Sequence, residues 1–278
     1  MGQITACNVL SDLYAAGLTR VDSFLVILGL STKLTSDDRK KVAIELMAGM
    51  ESKVSEAGSK IVGGQTVHNP WVTVGGSVFG FFDRPEQIVP NTTAQPGDLI
   101  LLTKPIGTQL LVNFNQYYRK DTDKRLKLEA AGLSATELLE ISRRVTNSMS
   151  HLNLYAARVM NQMVGDVKAC TDVTGFGLKG HSDNLVEIQQ KPVDFVFERV
   201  PLFSGLPKFD KIVRNFKLKE GLAAETSGGL LIVIAANRAG EFQAKLLETG
   251  QQSWIVGKVV EGTRKTILGE NTTEYIEV

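Results

Sequence analysis

The sequence predicts an α+β (α/β) protein of two domains, each with a mixed sheet and helices. Two observations support this class: short apolar stretches of strand type alternate with amphipathic stretches of helix type, and the chain has no helical repeats or low-complexity segments. A third observation places the junction, because residues 84–98 contain three prolines and little periodicity. We therefore predict a first domain at residues 1–92 and a second at residues 93–278.

The first domain is expected to contain two helices and three strands. Residues 4–16 have helical spacing, and residues 24–31, FLVILGLS, are continuously apolar as in a buried strand. Residues 35–58 have a polar start, an acidic first turn and a final glycine, which is the pattern of a surface helix. We predict that residues 60–70 form a short strand running into a glycine loop, and that residues 71–82 form a strand bent at its glycine pair.

The second domain is expected to alternate helices with strands. Serine or asparagine at the start of some segments supplies predicted helix caps. The predicted strands are residues 99–103, 193–200, 228–236 and 253–260. The predicted helices are residues 107–118, 134–148, 153–163, 207–216 and 237–250.

The overall composition argues against nucleic-acid and membrane partners. Apolar residues make up 43% of the chain and charged residues 22%, and the formal net charge is only +1. The longest apolar runs fall well short of the roughly 20 residues that span a bilayer, and no signal peptide is recognisable. Because Cys7 and Cys170 do not make a disulfide framework in a chain of this size, we expect buried thiols and a cytoplasmic protein.

Common catalytic motifs are absent from the sequence. Because no GxxxxGK[ST], HExxH, CxxC or GxSxG pattern occurs, we expect no P-loop, zinc-peptidase site or hydrolase elbow. The three histidines, His68, His151 and His181, are too scattered to suggest a zinc site. The candidates for chemistry are therefore carboxylates and glycine turns.

The first predicted helix places a carboxylate among apolar residues. Thr5, Asn8 and Asp12 fall on one line of a helix whose remaining circumference is mostly apolar, as is typical of a buried helix. A carboxylate there needs compensation by a bound cation, by an Arg or Lys partner, or by partial solvation. Mg²⁺ takes oxygen ligands, usually one or two carboxylates plus nucleotide phosphates. Asp12 fits that role only if a second carboxylate and a phosphate site lie near it.

Residues 63–66 offer a candidate phosphate or nucleotide contact. Gly63 and Gly64 permit positive φ and expose backbone amides, and Gln65 and Thr66 add polar side chains. Such a glycine pair after a strand can form an anion-binding nest, and a simple turn is an equally good interpretation.

Residues 169–181, ACTDVTGFGLKGH, carry a second candidate carboxylate and a glycine pattern. Asp172 serves either as a metal ligand or as the side chain that closes a turn on the backbone near Thr174. The glycines spell GxGxxG, but a dinucleotide-binding turn requires a clean strand before it, and residues 166–174 contain two aspartates and a lysine. We therefore favour a turn that presents Asp172 over a dinucleotide-binding turn.

Four segments together resemble one known family. The strings CNVLSDLYAAG, IVGGQTVHNPW, ACTDVTGFGLKGH and ETSGGLL occur in this order and resemble selenophosphate synthetase (selenide, water dikinase). They extend from residue 7 to residue 231 and so cover most of the chain. The resemblance implies the aminoimidazole ribonucleotide synthetase-like fold, in which an N-terminal α+β domain pairs into a dimeric barrel and a C-terminal α+β domain follows.

The resemblance also implies an activity and a site. It implies ATP-dependent synthesis of selenophosphate from selenide, for selenocysteine biosynthesis, with release of AMP and phosphate in a cleft between the protomers of a homodimer. By the same resemblance, Asp12 and Asp172 are Mg²⁺ ligands, Asp12 also belongs to the ATP site, and residues 63–66 contact the nucleotide. Phosphoryl transfer asks mainly for positioning and charge neutralisation, which agrees with the lack of an apparent general base.

The chain departs from the family at its start. The family carries a reactive cysteine or selenocysteine and a lysine upstream of the segment NVLSD, which here begins at residue 8. We therefore expect an N-terminally truncated chain that lacks a catalytic nucleophile and is inactive alone. Two alternatives stay open: a non-catalytic, dimer-forming scaffold of the same fold, and a dinucleotide-dependent oxidoreductase.

Overall fold

The computed structural model describes all residues from Met1 to Val278 and contains β-sheets covered by α-helices. Three strands form one mixed sheet, six strands form a second, and two strands form a small third sheet. No helix combines the length and the apolar character that a membrane crossing demands. The predicted α+β class is confirmed.

The three-stranded sheet lies in the first third of the chain. It contains β1 (Ser23–Ser31), β2 (Ile61–Asn69) and β3 (Thr73–Phe79), in the order β2–β1–β3. β1 runs parallel to β2 and antiparallel to β3. Two helices, α1 (Gly2–Ala15) and α2 (Ser36–Glu56), pack against each other, and they contact β3 and β1 respectively. β2 is therefore an edge strand whose only hydrogen-bonded neighbour is β1.

The start of α2 follows the predicted capping rules. The Thr35 hydroxyl accepts a hydrogen bond from the Asp38 amide at 3.2 Å, and Asp37 and Asp38 lie in the first turn, where the helix dipole favours acidic groups. Just after the helix, Gly58 has a φ of +78°, a left-handed conformation that favours glycine. The helix predicted over residues 35–58 is confirmed.

The six-stranded sheet occupies the rest of the chain, in the order β10–β6–β9–β4–β8–β5. Its strands are β4 (Leu99–Leu102), β5 (Val167–Asp172), β6 (Val193–Phe197), β8 (Leu230–Ile234), β9 (Trp254–Glu261) and β10 (Thr266–Ile267). Neighbouring strands are antiparallel except β10 and β6. Outside this sheet, β7 (Arg199–Leu202) pairs in parallel with β11 (Glu274–Glu277). The helices of this part are α3 (Thr108–Lys120), α4 (Thr122–Ala130), α5 (Ala135–Met149), α6 (Leu154–Asn161), α7 (Gly177–Glu187) and α8 (Ala236–Glu248).

The two faces of the six-stranded sheet belong to different hydrophobic cores. Because side chains alternate along a strand, Leu231 and Val233 of β8 join the core that contains α3, α5 and α7. Leu230, Ile232 and Ile234 join the other core, which also contains buried residues of α1, α2, α6 and α8. The N-terminal helices are thus packed together with one face of the six-stranded sheet. The domain boundary near residue 92 stays a prediction.

Residues 207–216 do not form the predicted helix. Only Pro207–Phe209 form a single 3-10 turn. The Asp210 carboxylate accepts hydrogen bonds from the amides of Phe216 at 2.9 Å and Leu218 at 3.2 Å, and these bonds stabilise a loop instead.

Three further predictions about local structure are wrong. The strand predicted at residues 193–200 divides at Glu198 into β6 and β7, which belong to different sheets. The predicted glycine loop is absent, because β2 continues through it to Asn69. Residues 167–172 do form a strand, in which Lys168 occupies a half-buried position between two buried ones. The sequence also did not predict α4, β10 or β11.

Candidate functional site

Asp12 lies near the C-terminal end of α1 and is exposed, although half of the residues of the helix are buried. It forms no ion pair, so solvent provides the compensation that a carboxylate on this helix requires. The other two residues of the predicted polar line have different contacts. The Thr5 hydroxyl donates to the Met1 carbonyl, and the Asn8 side-chain oxygen accepts from the Ser227 amide at 2.8 Å.

Asp172 is the last residue of β5 and is only 6% exposed. Burial raises the pKa of its carboxyl to about 6, and the negative charge of Asp12 adds to that rise. The nearby Ser11 hydroxyl acts in the opposite direction. Because α1 packs against β5, the structure brings together two carboxylates that are 160 positions apart. Asp172, like Asp12, has no lysine or arginine partner in an ion pair.

A buried polar network supports the Asp172 side of this pair. The Asn153 amide group donates to the Ser11 hydroxyl at 3.0 Å and to the Gly228 carbonyl at 2.9 Å. Asn153 was predicted to cap α6, but its side chain makes no capping bond there. The network therefore connects α1, the start of α6 and the loop before β8.

The loop before β8 also contacts a buried lysine that the sequence reasoning missed. The Lys104 ammonium donates to the carbonyls of His151 at 2.8 Å and Ser227 at 2.9 Å. Burial lowers the pKa of Lys104 to about 8, and the nearby Cys7 and Asp172 side chains partly offset that decrease. Ser227 has a φ of +50°, and its hydroxyl is buried without a partner. The string ETSGGLL marked this loop, but its strained backbone could not be read from the sequence.

The segment between β5 and α7 is a defined turn. The Thr174 amide donates to His181 Nε2 at 2.9 Å, and the Thr174 carbonyl accepts from the Glu225 amide at 2.8 Å. Gly177 has a φ of +70°, and a Cβ there would lie 2.5 Å from the Gly221 carbonyl oxygen. This strand–turn–helix unit differs from a dinucleotide-binding turn, because β5 is an edge strand whose only neighbour, β8, is antiparallel.

The glycine pair lies inside β2 and forms neither the predicted nest nor a turn. Gly63 and Gly64 pair in parallel with Leu25 and Val26 of β1, directly after a one-residue register shift at Val62. A Cβ on Gly64 would lie 1.9 Å from the Val26 carbonyl oxygen, so close strand packing already requires glycine at this position. Residues 63–66 are exposed at the open edge of the sheet.

The structure therefore places two of the predicted site residues near each other and the remaining ones elsewhere. Asp12 and Asp172 lie at the junction of α1 and β5, whereas residues 63–66 lie on a strand that α1 does not pack against substantially. No group of three His, Cys, Asp or Glu side chains is arranged to hold a metal ion. Two carboxylates can still provide the protein ligands of a hard cation whose other ligands are phosphates and water.

Comparison with solved structures shows the fold. The hydrogenase maturation protein HypE from E. coli matches 94% of this chain and 74% of its own, with a TM-score of 0.71 and 16% identity. A crystal structure of HypE in complex with ATP matches 94% of this chain and 71% of its own, with a TM-score of 0.61 and 19% identity. These similarities confirm the predicted aminoimidazole ribonucleotide synthetase-like fold.

Comparison with known sequences shows the family. Residues 1–82 match the N-terminal domain and residues 95–270 the C-terminal domain of AIR synthase related proteins. The probable selenide, water dikinase of Caenorhabditis elegans is 38% identical over 100% of this chain and 74% of its own length. The selenide, water dikinase of Trypanosoma brucei brucei is also 38% identical, over 100% of this chain and 71% of its own length. The chain therefore belongs to the selenide, water dikinase family.

Proposed function

We propose that residues 1–278 form the ATP- and metal-binding part of a selenide, water dikinase. The proposed reaction is ATP-dependent synthesis of selenophosphate from selenide, with release of AMP and phosphate. The observation that carries the proposal is the pair formed by Asp12 and Asp172, one exposed and one buried, neither of which forms an ion pair with a lysine or arginine. The reaction is proposed from the names of the related proteins. The position of the nucleotide is proposed from the carboxylate pair, which could hold a cation bound to the phosphates of ATP.

The carboxylate pair fits Mg²⁺. Burial and the nearby Asp12 charge make ionised Asp172 unfavourable, and a bound divalent cation would relieve both effects. In the proposed site Asp12 and Asp172 hold the cation, and the bonds among Ser11, Asn153 and Gly228 fix the position of the buried carboxylate. A bound Mg²⁺ would neutralise the phosphate charges of ATP.

Residues 63–66 are proposed to contact ATP across a homodimer. Within one chain they lie away from the carboxylate pair, so a second copy is needed to bring both parts to one nucleotide. The open side of the three-stranded sheet exposes apolar side chains, with Ile27 54%, Val62 61% and Val67 45% exposed. Exposed apolar side chains beside an unpaired strand edge favour association with another chain.

The catalytic nucleophile is proposed to lie outside these residues. Cys7 and Cys170 are both buried, and desolvation raises the pKa of Cys7 to about 11 and that of Cys170 well above its ordinary value. A thiol must ionise to act as a nucleophile, so neither cysteine suits that role. These observations support a binding role for this chain in the reaction. They also leave room for the second candidate, a scaffold that keeps the fold without catalysis.

Calorimetry with a non-hydrolysable ATP analogue and Mg²⁺ tests the proposal. We expect saturable binding that requires Mg²⁺ and is lost in the Asp172→Asn variant. Asp123→Asn serves as the control, because Asp123 is an exposed acidic residue on α4. Equal affinity in the wild type and Asp172→Asn would remove Asp172 from the metal site. Tighter binding of NADH than of the ATP analogue would favour the oxidoreductase alternative.

A further inference from the structure

A cleft of about 260 Å³ opens beside the end of β4. The last turn of α5 and the loop between α8 and β9 complete its walls. Its lining includes Lys104, Ser148, His151, Gln251 and Trp254, and no acidic residue contributes to it. A second hollow of about 460 Å³ adjoins the cleft at His151, and its charged lining residues are Arg158, Lys245 and Glu248.

Lys104 has an unused hydrogen-bond donor in this cleft. Its side chain is charged yet only 7% exposed, and two of its three ammonium N–H groups donate to the His151 and Ser227 carbonyls. Those acceptors are neutral main-chain groups, and no carboxylate forms an ion pair with Lys104. Two hydrogen bonds therefore hold the ammonium, and the nearby Asp172 carboxylate favours its charge without forming an ion pair.

His151 supplies a second unused polar atom. Its Nε2 is buried and has no hydrogen-bond partner. Desolvation and the nearby charge of Lys104 lower the pKa of His151, so the imidazole is neutral at pH 7 and carries one N–H, which Nε2 holds in one of its two tautomers. Burying an unpartnered polar atom is unfavourable, and a ligand that accepts this N–H would remove the penalty.

We propose that this cleft binds a phosphate group, held by Lys104 and His151. A phosphate offers several acceptor oxygens and negative charge, and it matches a wall with an unused Lys104 N–H, an unpartnered imidazole nitrogen, a positive charge and no carboxylate. The group is either free phosphate or a phosphate monoester, whose remaining part would extend into the hollow beside Arg158. Arg158 has no carboxylate partner of its own and lies 5.8 Å from the Tyr155 ring centroid.

The proposed phosphate cleft does not depend on the proposed function. It is formed by β4, α5 and the α8–β9 loop, and neither Asp12 nor Asp172 lines it. Phosphate binding without divalent cations would distinguish it from the carboxylate pair, because two carboxylates repel phosphate unless a cation lies between them.

Tryptophan fluorescence can follow binding to this cleft. The chain has two tryptophans, of which Trp71 is 62% exposed and Trp254 lines the cleft. In a Trp71→Phe background the emission reports on Trp254 alone. We would titrate this variant with inorganic phosphate and, separately, with glycerol 3-phosphate, both in EDTA, and compare Lys104→Met, His151→Phe and the exposed-lysine control Lys208→Met. His151→Phe retains the main-chain carbonyl that Lys104 uses, so it provides a test even if Lys104→Met does not fold.

The expected result is saturable binding of at least one of the two phosphates. Lys104→Met should weaken it by about tenfold or more, and His151→Phe by about threefold or more, because each removes a donor to the ligand. Lys208→Met should bind as the background variant does. Absence of saturation with either phosphate up to about 10 mM would overturn the proposal. Unchanged affinity in His151→Phe and in folded Lys104→Met would overturn it as well.

Discussion

Replacing Asp172 by asparagine should stabilise the protein in the absence of metal at neutral and higher pH. The buried carboxyl is 6% exposed, and its ionised form is opposed by desolvation and by the charge of Asp12. Asparagine has nearly the same shape and can still accept hydrogen bonds through its side-chain oxygen, but it cannot ionise. The substitution therefore removes an unfavourable charge with little change in packing.

The magnitude and sign of this effect follow from the pKa. Folding raises the pKa of Asp172 from 3.8 to about 6, a difference of about two units, or about 3 kcal/mol. Because the folded-state pKa is the higher one, the wild type has the full stabilising contribution of the protonated group below pH 3.8 and loses it as pH rises through about 6. Asp172→Asn should thus gain up to about 3 kcal/mol over the wild type at pH 8 and little at pH 4.

Urea unfolding at pH 4, 6 and 8, with and without Mg²⁺, measures this prediction. Without Mg²⁺ the difference in unfolding free energy should grow with pH. With Mg²⁺ at pH 8 the wild type should recover stability, whereas Asp172→Asn should respond much less because it lacks the second carboxylate ligand. A pH-independent difference, or an Asp172→Asn variant that is less stable than the wild type at pH 8, would refute the reasoning.

Three further perturbations test other parts of the structure. Gly64→Ala should lower the unfolding free energy by about 3 kcal/mol, because the new Cβ would collide with the β1 backbone. Gly63→Ala should be tolerated, and equal melting temperatures for the two variants would contradict this prediction. Glu225→Ala should destabilise the protein by about 3 kcal/mol because Glu225 accepts the first amides of α3, and exposed Glu140→Ala is its control in urea unfolding. Val67→Lys should weaken the proposed homodimer in sedimentation at micromolar concentration, and an unchanged dimer would remove this face from the interface.

Local signals predicted most of the helices and strands correctly. The helix at residues 35–58 was predictable because its cap, acidic first turn and final glycine act within a few residues of each other. The strand β8 was predictable from its apolar run, although only the structure shows that alternate side chains enter two different cores. Residues 207–216 failed because the Asp210 carboxylate binds amides of Phe216 and Leu218, and those bonds override the helical spacing.

The candidate site was predictable only in part, and that part came from a family resemblance and not from local sequence signals. Asp12 and Asp172 were named through a family resemblance, and the glycine pair was read as a loop or nest. Neither the family resemblance nor the local glycine pattern shows which strand will pair with a given segment in the folded protein. β1 lies against β2, and this contact makes residues 61–69 a strand and makes glycine necessary at position 64.

By itself, the sequence determined the α+β class, most element positions and the family, because these depend on local periodicity and on strings of residues. Only the tertiary structure decided the electrostatics. Asp12 became a solvated carboxylate and Asp172 a buried one because α1 packs against β5 across 160 positions of sequence. Lys104, which follows β4, became buried next to the Ser227 loop without an ion-pair partner. Charge separation, desolvation and pKa depend on distances between residues far apart in the chain, and folding alone sets those distances.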